Sequence, residues 1–73
     1  MSRNDLVGVT RVGRRYYVLC PLNADTEWSA RVARRLVMRK QYVFRSRSRG
    51  QALMHAHDLQ RFHTQTEYGV WEL

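Results

Sequence analysis

Leu6-Val7-Gly8-Val9-Thr10-Arg11-Val12, then Gly13-Arg14, then Arg15-Tyr16-Tyr17-Val18-Leu19-Cys20 is the stretch on which the fold turns. β-Branched and aromatic residues fill both arms, and a two-residue break led by glycine separates them. Glycine at the first central position is the mark of a type II′ turn, whose twist matches that of two antiparallel strands. The segment therefore reads as a β-hairpin. In this register Val9 faces Val18, Val7 faces Cys20 and Arg11 faces Tyr16, which gives an apolar face with an Arg–Tyr end. Leu6, Thr10, Val12, Arg15, Tyr17 and Leu19 occupy the other face, so both sides of the hairpin are candidates for cover. The first arm is also a candidate edge, open to an extended peptide from a partner.

Working outward, Pro21 ends the second arm and Leu22-Asn23-Ala24 reads as a loop, with Asp25 or Thr26 placed to cap a helix. At about 100° per residue, Trp28, Ala30, Val32, Ala33, Leu36 and Val37 share one arc, and Arg31, Arg34, Arg35 and Arg39 fill the rest. This predicts an amphipathic helix with an apolar floor and a cationic roof, although Leu36-Val37-Met38 also suits the start of a strand. Gln41–Ser46 reads as a third strand with Tyr42 and Phe44 on one face. Ser48-Arg49-Gly50-Gln51 matches a capping box, in which the serine hydroxyl accepts from the Gln51 backbone and the glutamine side chain reaches back. The helix that follows places Ala52, Leu53, Ala56, Leu59 and Phe62 together, Thr64-Gln65-Thr66 breaks it, and Tyr68–Leu73 reads as a last strand. The order is ββαβαβ: a small α+β domain, residues 1–73, with two helices packed on a small, mostly antiparallel sheet and residues 1–5 as a flexible tail.

Composition bounds the partner class. The 73 residues include twelve arginines and one lysine against six acidic residues, for a formal charge of +7. Such an excess in so small a domain points to a polyanionic or acidic-surfaced partner. Arginine in place of lysine adds planar forks that pair bidentately with carboxylate or phosphate and stack on rings, although a GC-rich coding sequence would give the same bias. No run approaches the ~20 apolar residues that span a bilayer, and the first helix needs its apolar face for the core, so a membrane partner is not expected. The start of the chain does not resemble a signal peptide, which predicts a cytoplasmic protein. A monomer is expected.

Nothing in the sequence assembles a reaction centre. His55-Ala56-His57 has the look of a ligand pair, but on a helix the two rings stand about 200° apart. His63 falls near the core face. The single cysteine, Cys20, permits neither an internal disulfide nor a cysteine zinc site, and among strand valines it reads as a buried, inert thiol. Glu27, Asp58, Glu67 and Glu72 are scattered, and the four glycines form no phosphate-binding loop. The expectation is a protein that is not an enzyme and takes no metal or cofactor.

The arginines fall into three groups: Arg14 and Arg15 at the hairpin tip, Arg31, Arg34, Arg35 and Arg39 on the helix roof, and Arg45, Arg47 and Arg49 in an Arg-Ser-Arg-Ser-Arg run whose side chains share one side if extended. An acidic protein surface would engage Arg11, Arg14, Arg15, Tyr16, Arg34 and Arg35, since arginine and aromatics dominate interface hot spots. The alternative is nucleic acid held by its phosphates, through Arg31, Arg34, Arg35, Arg39, Arg45, Arg47 and Arg49. No helix-turn-helix, zinc finger or RNP-type motif is present to read bases. Inhibition of another protein is a third reading.

The chain as a whole resembles the small phage-encoded regulators that bind bacterial RNA polymerase: short, single-domain, rich in arginine, with stretches such as Val12-Gly13-Arg14-Arg15-Tyr16-Tyr17-Val18-Leu19-Cys20-Pro21 and Tyr68-Gly69-Val70-Trp71-Glu72-Leu73. The resemblance implies binding to the large subunits of the polymerase, inhibition of initiation by displacement of sigma, and antitermination on phage templates. It transfers no functional residue.

Overall fold

The hairpin forms in the expected register. In the computed structural model, which describes residues 6–22, 27–64 and 69–73, β1 (Gly8–Val12) and β2 (Arg15–Leu19) pair antiparallel with Val9 opposite Val18 and Arg11 opposite Tyr16. Gly13 has φ +65° while Arg14 keeps a negative φ, which is the type II′ combination and excludes type I′. Pairing stops at Gly8 and Leu19, short of the expected Val7–Cys20 pair. The Val7 N–H is instead taken by the Gln60 side chain, and its carbonyl accepts from the Trp71 N–H at 2.9 Å. With no partner left on β1 and Pro21 following, Cys20 lies beyond the strand with its thiol exposed, not buried.

After the hairpin come α1 (Ala30–Met38), β3 (Phe44–Ser46), α2 (Arg49–Thr64) and β4 (Trp71–Glu72), which is the expected order. The sheet runs β3-β2-β1-β4; β2 pairs antiparallel with β3, and β1 pairs parallel with β4. β1 is thus interior, and the open edges are β3 and β4. The parallel pairing follows from α2, which carries the chain from one edge of the sheet to the other and sets β4 beside β1.

Both faces of the hairpin are covered, each by one helix. Val7, Val9 and Val18 pack with Ala52 and Ala56 of α2, flanked by Tyr16, Phe44, Leu53, Leu59 and Val70. Leu19 and Trp28 pack with Ala33 and Val37 of α1, flanked by Val12, Tyr17, Val32, Leu36, Tyr42 and Trp71. The molecule is a three-layer α/β/α sandwich around one small sheet. Trp28 ties this second layer together. It precedes α1, donates its indole N–H to the Leu6 carbonyl at 2.7 Å, and stacks on Trp71 with centroids 5.2 Å apart and 13° between planes. A Cβ on Gly8 would lie 2.8 Å from the Trp28 ring, so glycine is required there by close approach.

The helix ends differ from expectation in instructive ways. Ser29 caps α1, accepting from the Val32 N–H at 3.2 Å; Asp25 and Thr26 lie outside the described residues, as do residues 1–5 and, of the expected Thr64-Gln65-Thr66 break, Gln65 and Thr66, while Thr64 is still helical. Leu36–Met38 are helical, and α1 closes in a Schellman motif, with Gln41 N–H on Leu36 O (2.8 Å) and Lys40 N–H on Val37 O (2.9 Å). Lys40 takes the left-handed conformation, φ 58°, usually given to glycine. That turn delays β3 to Phe44 and splits the aromatic pair: Tyr42 packs on the α1 side and Phe44 on the α2 side. At α2, the Ser48 hydroxyl accepts from Gln51 N–H at 3.3 Å, but the reciprocal bond is relayed: Ser48 N–H donates to Ser46 Oγ, which donates to Gln51 Oε1, each at 3.0 Å.

On α2, Phe62 is 81% exposed and Gln60 is 1% exposed, the reverse of the expected apolar face. Relative to Ala56, Phe62 sits about 120° away and Gln60 about 40° away, so the phase of the helix itself turns Phe62 out. Gln60 is retained in the core because it completes the backbone of the strand entry at Val7. Gln60→Leu should fill the same space and strand that buried N–H, at a cost of about 1–3 kcal/mol. A thermal melt should show a drop of at least about 4 °C; an unchanged midpoint would show that Val7 finds another acceptor.

Candidate functional site

Strand alternation and a tight turn gather four arginines from two segments that are far apart in sequence. Arg14 is the second turn residue, and Arg15 opens β2 with its side chain on the face that α1 covers, next to Val12. Two residues on, Tyr17 points to the same face and meets Tyr42 edge-on at 4.8 Å. Arg45 stands opposite Tyr17 on β3, and Arg47 follows the end of that strand. α1 leaves this corner of the sheet open. The result is a groove of about 430 Å³ lined by Val12, Arg14, Arg15, Tyr17 and Arg47. Arg15 and Arg47 continue into a neighbouring depression of about 240 Å³ with Arg45 and Ser46. Arg11, Gly13 and Arg34 line a third, between the hairpin and α1.

Charge is distributed unequally over the two faces. On the α2 side, Arg49 is paired with Glu72 at 2.7 Å and Arg61 lies 4.0 Å from Asp58. On the α1 side, Arg14, Arg15, Arg31, Arg34, Arg35, Arg39, Arg45 and Arg47 have no carboxylate within 4 Å among the described residues. Guanidinium forks beside a half-buried tyrosine, on a floor fixed by the sheet, can grip carboxylates or phosphates and shield those contacts with an aromatic wall.

Of the residues expected to meet an acidic protein, Arg14 and Arg15 share the groove, while Arg11 and Arg34 share the adjoining depression. Arg11 is held in place by a 3.0 Å bond from Nε to the Gly13 carbonyl. Arg35 is exposed on the outer face of α1. Tyr16 is half-buried on the opposite side of the sheet, against α2. Of the residues expected to hold phosphates, Arg45 and Arg47 join the hairpin tip, whereas Arg31 stays on α1 and Arg39 at its C-cap. The Arg-Ser run is not extended throughout: α2 begins at Arg49 and turns that side chain to Glu72. Tyr17 and Val12, the floor of the groove, were not among the expected site residues, although the two-residue alternation with Arg15 places both on its face. His55 stacks on Phe44 at 4.3 Å with 7° between planes, and His57 is exposed. No three His, Cys, Asp or Glu side chains are grouped as metal ligands among the described residues.

α1 bears an electrostatic cost for its cationic roof. It contains no acidic residue, Arg31 repels Arg35 one turn on, and Arg31 opposes the positive end of the helix dipole. Arg31→Glu should therefore stabilise the fold, by about 0.5 kcal/mol at low salt, with the gain shrinking as salt is added. Urea melts at two ionic strengths check this, and a destabilised variant would mean that Arg31 makes a favourable contact in the fold.

Comparison with protein-family models, curated proteins and solved structures finds no match for the chain. No helix among the described residues is long and apolar enough to cross a membrane.

Proposed function

We propose that the chain is a non-catalytic transcription regulator of the phage type, acting in the bacterial cytoplasm, that docks on an acidic surface of RNA polymerase and inhibits initiation by displacing sigma. The observation that carries the reading is the groove: Arg14, Arg15, Arg45 and Arg47, uncompensated by any described carboxylate, converging on Tyr17 from a rigid hairpin and the adjoining edge strand. Arginine forks around an aromatic floor have the composition of an interface hot spot. The likeness of the whole chain to small polymerase-binding phage regulators supports the choice of partner. Opposite charge speeds encounter with such a target. Displacement of sigma then requires only that the regulator bind polymerase lacking sigma more tightly than the sigma-bound form. The same docking, retained during elongation, would account for antitermination.

The test uses the tagged chain against bacterial lysate and against purified core polymerase and holoenzyme, with and without nuclease. Nuclease-resistant recovery of the large subunits, with sigma released from the holoenzyme, is the expected result. Loss of the polymerase after nuclease treatment, or a holoenzyme that keeps its sigma, overturns the reading.

A further inference from the structure

The outer face of α1 is a second cationic surface, and the groove does not account for it. Arg31, Arg35 and Arg39, the last at the C-cap, follow one another at intervals of four residues, about 6 Å apart along the helix axis and about 40° around it at each step. Arg34 widens the row on one side. All four are exposed, and none has a carboxylate within 4 Å among the described residues. The helix is pinned to the sheet through Ala33 and Val37 on its opposite side, so the row is rigid. The groove has an aromatic floor and curved walls; the row has neither. Only Met38, 71% exposed, interrupts it. It is a line of guanidinium groups on a convex rod.

We infer that this row is a sequence-independent clamp for the phosphodiester backbone of nucleic acid. A ladder of regularly spaced anions is the complement of a ladder of regularly spaced guanidinium groups, and helix arginines of this kind position a protein on a backbone without reading bases. α1 presents no asparagine, glutamine or aromatic residue to a base edge. The row is also internally repulsive, and a polyanion removes that repulsion, so binding and helix stability reinforce each other. The row and the groove lie on the same side of the sheet. A protein partner held in the groove and a nucleic acid held on α1 would therefore be neighbours.

The experiment is a fluorescence anisotropy titration of the full chain with a labelled mixed-sequence DNA duplex, repeated with an RNA duplex and with a single strand. Four neutralised phosphates predict that affinity falls about 100-fold between 50 and 200 mM salt. Arg35→Gln with Arg39→Gln should lessen that salt dependence by about two charges and weaken binding at 50 mM salt at least tenfold. Glutamine matches arginine closely in helix propensity, so the variant stays folded, which a thermal melt confirms. Arg14→Gln with Arg47→Gln serves as the control and should change duplex affinity far less. Absence of binding at 50 mM salt overturns the inference. So does a salt dependence untouched by the α1 substitutions, or one removed equally by the groove pair. Similar affinities for scrambled sequences support it, and strong preference for one sequence counts against it.

Discussion

Trp28→Ala should abolish the cooperative thermal transition at physiological temperature. Removing a buried aromatic costs about 3–5 kcal/mol, and a domain this small holds little more than that in total. Trp28 does three things at once: it covers Gly8, stacks on Trp71 and satisfies the Leu6 carbonyl. Trp28→Phe separates these roles, since it keeps a ring and loses the indole N–H, and it should cost about 1 kcal/mol for the lost hydrogen bond plus a packing loss. The contact with Gly8 can be isolated by a double-mutant cycle. Gly8→Ala should destabilise the native background by about 1–3 kcal/mol, because its Cβ meets the indole. In the Trp28→Phe background the cost should fall, since the smaller ring leaves room. Equal costs of Gly8→Ala in both backgrounds, measured by urea denaturation, would show that the ring does not limit that position.

The second large effect concerns binding. Arg14→Glu combined with Arg47→Glu should weaken association with polymerase more than 100-fold, since each reversal replaces a charge-assisted contact by a repulsion and desolvated pairs are worth about 2–5 kcal/mol each. Stability should move by no more than about 0.5 kcal/mol, because neither side chain supports the core. Arg49→Gln with Arg61→Gln, on the opposite side of the sheet, is the matching control and should leave affinity within about twofold. Surface-immobilised polymerase and a salt series give the measurement. If the groove reversal binds as the parent does, the contact surface lies elsewhere and the proposed docking mode is wrong.

The hairpin was readable because its signals are local: alternation, a Gly-Arg turn and a proline stop agree with one another. The element order was readable for the same reason. The helix ends were harder. Ser29 and Asp25 are chemically equal as caps, so residue type alone does not choose between them. Lys40 carries no glycine-like sign of the left-handed turn it makes, so the third strand was expected three residues early. Phe62 and Gln60 show a different limit. Hydropathy favours the phenylalanine, but the Val7 N–H has no strand partner and is met by the Gln60 side chain. Such a demand comes from a segment distant in sequence and leaves no local trace. The groove was half legible: Arg14 and Arg15 announce themselves, while Arg45 and Arg47 reach them only because β3 pairs with β2 rather than with another strand.

The Trp28–Trp71 stack has an optical consequence. The chain has two tryptophans, and both belong to this one contact, so tryptophan emission reports the meeting of the last strand with the segment that precedes α1. Far-ultraviolet dichroism is dominated by α1 and α2 and follows the formation of the helices instead. Stopped-flow traces of the two signals would then show whether the helices form before the two tryptophans meet. The native chain is its own two-channel clock and needs no introduced label.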